Sequence, residues 1–287
     1  MRFIDFFSGI GGFRLGMEKA GHVCVGHCEI DKYANKSYIA MHNPKESEWY
    51  ANDITRVKPE DVPEAECYCG GFPCQAFSIA GHRRGFEDTR GTLFFEVMRI
   101  AKERHPRYLF LENVKGLLNH EGGATFETII GTMAELGYCV EWQVLNSKDF
   151  GVPQNRERVF IVGHFGSPSG RKVLPIFRNS GEVVGTRNEL TKNKPQGYRI
   201  YDTSGASCTL QGESGGVGAK TGLYAIKTDN EIKVRRLTPK ECFRLQGFTD
   251  EYFDRAASVC SESQLYKQAG NSVTVNVIYE IAKRLVE

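Results

Sequence analysis

The residues equipped for chemistry sit in three short stretches: "GGFPCQAFS" (70–78), "ENV" (112–114) and "QNRER" (154–158). Cys74 follows a proline and two glycines. Pro73 fixes the backbone and removes a donor, which suits a side chain that must point one way. Gly70 and Gly71 permit a sharp exit from a strand and close approach of a ligand. The nucleophilic form of cysteine is the thiolate, and a free thiol has a pKa of about 8.5, so nearby positive charge favours it. Arg156 and Arg158 supply two guanidinium forks, and Glu112 a carboxyl group able to pass a proton. Taken singly, each has a plainer reading. Cys74 fits a small buried hydrophobe, Glu112 a helix cap, and the arginines a surface ion-pair set. Their joint occurrence favours a reactive thiol with its supporting charges.

These stretches need a scaffold that brings them together. Residues 1 to 165 alternate strand-like and helix-like segments. Strands are expected at 2–7, 23–29, 66–71, 107–113, 138–146 and 158–165. Helices are expected at 12–20, from the Asp31 cap to about Met41, at 91–104 and near 125–136. This alternation predicts an α/β fold with a mainly parallel sheet and helices on both faces. Ligands of such sheets sit at the carboxyl ends of the strands. Each of the three stretches follows a strand or lies between two, so all can meet at one end of the sheet. The last segment, 271–285, has apolar residues at helical spacing and is expected to pack back on this first unit.

The first turn, "DFFSGIGGFRLG" (5–16), is rich in glycine. Gly9 and Gly11 match the first two glycines of the dinucleotide pattern, but Arg14 takes the third position, which weakens a pyrophosphate cradle. Glu29 lies 20 residues after Gly9 at the end of the second expected strand. A carboxylate there can accept both hydroxyls of a ribose. Asp53, after the next strand, is placed to serve a base. A tight turn, no phosphate fingerprint and an acidic ribose clamp fit an adenosyl ligand without phosphates, with S-adenosylmethionine the leading candidate. Its sulfonium favours carboxylates and an aromatic face such as Phe7. The alternative is that Gly9, Gly11 and Gly12 only let a helix pack close to a strand.

Composition bounds the setting. The chain has 287 residues, 40% hydrophobic and 25% charged, as in an ordinary globular protein. No run of 18 apolar residues offers a membrane span. The start "MRFIDFF" carries no signal-peptide pattern. Nine cysteines without an export signal suggest reduced thiols and a cytoplasmic setting rather than a disulfide framework. Cys24, His27 and Cys28 read as alternating positions of a buried strand rather than metal ligands, and no metal is expected. Residues 171–240 hold 13 Lys and Arg against 6 Asp and Glu, a charge of +7 against −5 for the rest. A basic segment on a slightly acidic body suggests a polyanionic partner. Residues 166–236 also break the β-α pattern with glycine, serine and polar residues, as a small unit of loops and short strands would.

Taken in order, "FSGIGG", "GFPCQAFS", "ENV", "QNRER" and "QAGNSV" (268–273) resemble the motifs of the DNA cytosine-5 methyltransferases. The resemblance covers nearly the whole chain and is closest to compact bacterial or phage enzymes of restriction-modification systems. It implies a Rossmann-like catalytic unit of residues 1–168 and 262–287 and a DNA-recognition unit with its hinge at 169–261. It implies that Cys74 adds to carbon 6 of a cytosine, that Glu112 holds the ring nitrogen and exocyclic amine, and that Arg158, with Arg156 around it, attends the base. The target carbon is inaccessible in a duplex, so the base must be flipped out. The cofactor is implied to lie among Phe7, Gly9, Gly11, Gly12, Glu29, Ile30, Asp53, Ile54, Pro73, Leu93, Asn271 and Ser272.

The resemblance also implies a DNA-contacting set. Gln75 and Ser78 sit beside the nucleophile, and Ala80, Arg83 and Arg84 in a glycine-punctuated lid over 80–92. Gln154 precedes the arginine pair. Gln196 lies where a side chain fills the gap left by the flipped base, Arg199 where a fork can read guanine, and Thr209 near the target phosphate. Gly215 and Gly216 belong to the second recognition loop. The short segment suggests a site of about four to five base pairs, GC-rich by likeness of the loops. The expected partners are double-stranded DNA and a cognate restriction endonuclease acting on the same site without a stable complex, with a monomer as the working unit. Two alternatives are an RNA cytosine methyltransferase of the same fold and a catalytically silent DNA-binding regulator.

Overall fold

The computed structural model describes residues 1–73, 93–166, 172–177, 189–191, 198–212, 221–227 and 231–285. Cys74, Gln75, Ser78, Ala80, Arg83, Arg84, Gln196, Gly215 and Gly216 lie outside the described residues. So does the expected lid.

Seven strands form the main sheet: β1 (Arg2–Phe6), β2 (Val23–Cys28), β3 (Trp49–Ala51), β4 (Cys67–Gly71), β5 (Tyr108–Val114), β6 (Tyr138–Asn146) and β7 (Glu157–Phe165). Their order is β3-β2-β1-β4-β5-β7-β6. The first five pair in parallel, and β7 runs antiparallel to both β5 and β6. The expected mainly parallel α/β sheet is what forms. Central strands of a parallel sheet are covered on both faces, so they read as near-continuous apolar runs. Alternate residues feed two cores. Ile4, Phe6, Tyr68, Leu109, Leu111, Val159 and Ile161 enter one, and Phe3, Cys67, Cys69, Tyr108, Phe110, Phe160 and Val162 the other.

Helices α1 (Gly12–Lys19), α2 (Lys32–His42), α3 (Leu93–Arg104) and α4 (Ala124–Glu135) connect these strands. Asp31 caps α2 as expected, accepting from the backbone N–H of Tyr33 and Ala34. A second sheet holds β8 (Ile200–Asp202), β9 (Leu223–Lys227) and β10 (Ile232–Arg235), with Tyr201, Cys208 and Tyr224 as its small core. Four helices follow: α5 (Pro239–Leu245), α6 (Asp250–Ala257), α7 (Glu262–Asn271) and α8 (Val275–Ala282). A third core joins them to the glycine turn through Ile10, Leu15, Met41, Phe243, Leu265 and Val275. The segment 271–285, with its apolar residues at helical spacing, holds the last residue of α7 and then helix α8. Ser272 and Thr274, between α7 and α8, are extended. Helix α8 packs on α1, where a Cβ on Gly16 would stand 2.6 Å from Ile278. Among the described residues no helix is long and apolar enough to cross a membrane.

Asp5 in β1 is fully buried. One carboxyl oxygen accepts from the Arg14 backbone N–H at 3.2 Å, and the other has no partner. Burial pushes this carboxyl up to about 8. A folded pKa above the unfolded one gives stability that is full below about pH 4 and is lost as pH rises through about 8. Asp5→Asn is therefore expected to gain stability over the parent by up to ~1.4 kcal/mol per pH unit across that window. Urea unfolding of both proteins at pH 5, 7 and 8.5 checks this, and parallel pH profiles would refute it.

Candidate active site

A cavity of about 430 Å³ opens at the carboxyl ends of β1, β2, β4 and β5. One end is acidic. Glu29 follows β2 and is 9% exposed. Its Oε2 accepts from Gly9 N and its Oε1 from Asp31 N, both at 2.7 Å. Burial pushes its carboxyl up, against the pull of these hydrogen bonds. Asp53 caps the short turn Ile54–Arg56 and accepts from Thr55 N at 3.0 Å and Thr55 Oγ1 at 2.8 Å. The Thr55 hydroxyl holds it below the usual carboxylate range. Phe7, Ile30, Ile54 and Leu93 give this end its apolar surface, and Pro73 and Asn271 complete the expected set on the lining. The chain enters the turn after β1 through left-handed Phe7 (φ 56°) and Gly9 (φ 55°).

Gly11, Gly12 and Ser272, expected at the cofactor, are not on the lining. A Cβ on Gly12 would stand 2.8 Å from Val273 Cγ2 and 2.9 Å from Ser272 Oγ, and one on Gly11 would overlap the His42 ring. These glycines serve close packing, while Gly9 alone of the three faces the cavity. Ser272 is buried, and its hydroxyl donates to the Val273 carbonyl at 3.2 Å.

The other end carries the arginine pair. Glu112, on β5 and 7% exposed, pairs with Arg158 Nε at 3.0 Å. The strand register explains the contact. Arg158 stands opposite Val114, so Glu112 is its diagonal neighbour on the same face. Gly71 stands beside Glu112 on the other flank, and a Cβ there would lie 3.0 Å from Glu112 Oε2. Asn113 Nδ2 donates to the Phe72 carbonyl at 2.9 Å. That bond fixes the exit of β4 one residue before Pro73, which precedes Cys74 in the chain.

Arg156 also lines the cavity and is 3% exposed. Its guanidinium donates to the carbonyls of Leu210, Gly270 and Ser272 at 3.2, 3.1 and 2.8 Å. Burial, then the charge of Arg158, bring its pKa down to about 9. It is thus bound to backbone, whereas Arg158 is bound to the carboxylate.

Gln154 is corrected. It is fully buried, donating to the Leu245 carbonyl at 2.9 Å and accepting from Leu210 N at 3.3 Å, so it has no surface for DNA. Thr209 donates to the Asn155 carbonyl at 2.6 Å, and Arg199 Nε pairs with Glu189 at 3.5 Å. Both lie on the described part of the small unit. In β2, burial pushes Cys24 and Cys28 up to about 12, which keeps them as thiols, and His27 stacks on Tyr38. Sequence reasoning missed Asn113, Phe72 and the Lys267–Asp31 pair, 3.0 Å long, at the cavity wall. Asn113 and Lys267 stood inside or beside stretches already singled out, but their partners are remote in sequence.

A family model described as C-5 cytosine-specific DNA methylase matches residues 1–196 and 177–287. The Type II methyltransferase M.HhaI of Haemophilus parahaemolyticus is 39% identical over 98% of this chain and 93% of its own length. M.HpaII of Haemophilus parainfluenzae is 39% identical over 99% of this chain and 89% of its own. Among solved structures, Spodoptera frugiperda DNMT2 has the same fold, with a TM-score of 0.75 at 21% identity, covering 100% of this chain and 99% of that one.

Asn113→Ala leaves the buried Phe72 carbonyl without its donor. The expected cost is about 1–3 kcal/mol of stability. A lower urea midpoint at unchanged slope would register it. An unchanged midpoint would mean that the bond does not hold the exit of β4.

Proposed function

The chain belongs to the C-5 cytosine-specific DNA methylases, a DNA cytosine-5 methyltransferase of the Type II restriction-modification kind, and from that premise we propose how its residues divide the reaction. The observation that carries the reading is the Glu112–Arg158 pair, flanked by the strand exit toward Cys74 and sharing one cavity with Glu29 and Asp53. The cavity fits a cationic adenosyl ligand. Two carboxylates and an apolar surface of Phe7, Ile54 and Leu93 suit a ribose, a base and a sulfonium, and would repel a polyphosphate. S-adenosylmethionine, when bound, supplies an electrophilic methyl group. Glu29 would take the ribose hydroxyls and Asp53 the base.

The Cys74 thiolate adds to carbon 6 of a cytosine flipped from duplex DNA, forming a carbon–sulfur bond and moving electron density to carbon 5. Glu112 hydrogen-bonds the ring nitrogen and exocyclic amine, so that charge does not build on the ring. Arg158 holds the Glu112 carboxyl in place and attends the base. Once carbon 5 carries the methyl group, loss of its proton to a base returns electrons to the ring and expels the thiolate. The basic segment 171–240, with Arg199 and Thr209, reads the duplex. A small recognition unit suits a short site, and we place that site among GC-rich tetranucleotides, the enzyme working as a monomer in the cytoplasm beside a separate endonuclease.

Bisulfite sequencing of random-sequence duplex treated with enzyme and S-adenosylmethionine tests this. Methylated cytosines at one short site are expected. Methyl incorporation into tRNA but not duplex would overturn the DNA reading, and protection confined to AT-containing sites would overturn the GC-rich one. Cys74→Ala is expected to lose turnover yet still retain its site in gel shifts. Full activity of that variant would remove Cys74 as the nucleophile.

A further inference from the structure

Among the described residues no carboxylate lies within hydrogen-bond reach of the Arg156 guanidinium; it holds three carbonyls. Gly270 lies in the last turn of α7 and Ser272 is its C-cap. Carbonyls at a helix end lack intrahelical partners, and a cation there meets the negative end of the helix dipole. The third carbonyl, of Leu210, belongs to the segment 198–212, which carries β8, Arg199 and Thr209. One side chain therefore bridges the DNA-reading segment and the C-terminal end of α7.

The same two segments meet backbone to backbone. A Cβ on Gly270 would overlap the main chain of Gln211 and Gly212, and a Cβ on Gly212 would overlap the Asn271 carboxamide. Gly270 and Asn271 wall the cofactor cavity, as does Arg156 itself. The two segments are thus in close backbone contact at this crossing. The Gln154 side chain also bonds Leu210 N, so both main-chain groups of Leu210 are held from the stretch that bears Arg158.

We propose that Arg156 is a positioning residue that couples duplex binding at the 198–212 segment to the cofactor wall at Gly270 and Asn271. The proposal rests on the functional reading above. A duplex that draws on Leu210 changes the hold of Arg156 on the end of α7, and with it the fit of the wall to the cofactor. By linkage, the cofactor must change duplex affinity by the same factor. A lysine at 156 keeps the charge but is a compact ammonium without the planar fork that spans three carbonyls. It is expected to retain charge and lose coupling. Gly212→Val presses on Asn271 from the recognition side and enters the same path independently of Arg156.

Isothermal titration of S-adenosylhomocysteine into the full chain, alone and saturated with a duplex bearing the site found by bisulfite sequencing, gives the ratio of the two dissociation constants. A ratio of about 5 to 150 is expected for the parent. It is expected to fall below about 2 in both Arg156→Lys and Gly212→Val, a loss of at least ~2.5-fold in coupling. The ratio cancels any uniform loss of affinity, so a merely structural role for Arg156 would leave it unmoved. A parent ratio within twofold of one, or a parent-like ratio in Arg156→Lys, overturns the coupling; should Arg156→Lys not fold, Gly212→Val decides. Failure of the parent to bind either S-adenosylhomocysteine or duplex overturns the functional reading, and the coupling with it.

Discussion

The reversal of one strand fixes the catalytic end of this molecule. In a parallel sheet every strand ends at the ligand edge and begins at the far one. Because β7 runs antiparallel to β5, its first residues arrive at the edge where β5 ends. Arg158 can then sit diagonal to Glu112, and the stretch before it can reach the C-terminal helices. The hairpin that makes this possible is closed by Asn146, whose side-chain oxygen accepts from Arg156 N at 3.1 Å, and by Ser147 N donating to the Arg156 carbonyl at 3.0 Å. A parallel β7 would have placed both arginines a full strand length from Glu112. The pair is well shielded from water, so removing either partner would strand the other charge, a loss of about 3–5 kcal/mol for a buried pair.

The cofactor end is built by a different device, the turn after β1. Its glycines divide the labour that one pattern seemed to give them jointly. Gly9 exposes its N–H to Glu29, Gly11 admits His42, Gly12 admits Ser272 and Val273, and Gly16 admits Ile278. Arg14, the residue that breaks the dinucleotide fingerprint, is not a vacancy in the motif. Its guanidinium bonds Glu48 with both terminal nitrogens, Glu18 through Nε and the Tyr38 hydroxyl. A glycine in its place would approach a pyrophosphate; the arginine instead pins α1 to α2 and to the segment before β3.

These two ends explain what the sequence made legible. That Glu112 and Arg158 could meet was readable because their stretches each follow a strand or lie between two, at one end of the sheet. Asp31 was readable because capping is local. The strands were readable because parallel strands are apolar throughout. That same property hid the direction of β7, since "RVFIVGHF" is equally apolar either way. Gln154 was misplaced toward DNA because its partners are main-chain groups 56 and 91 residues away, the Leu210 N–H and the Leu245 carbonyl. No side-chain pattern announces such partners. The break at Ser272–Thr274 was hidden because apolar spacing continues across it.

Charge is segregated along the cavity, and that segregation follows from the topology. Glu29 and Asp53 sit after β2 and β3, on one flank of β1; Glu112, Arg156 and Arg158 sit on the other flank, after β4. Strand order thus separates an anionic end from an end where two guanidinium groups outnumber one carboxylate. In a cavity with limited access to water each charge acts more strongly than it would on the surface. A ligand with a cationic centre gains at the first end. A ring whose oxygen and nitrogens accept hydrogen bonds gains at the second. The two meet where Gly71, Phe72 and Pro73 cross between them, which is where the chain leads into Cys74. The exit of β4 therefore falls between two opposite fields without any long-range device; it follows from β4 lying between β1 and β5.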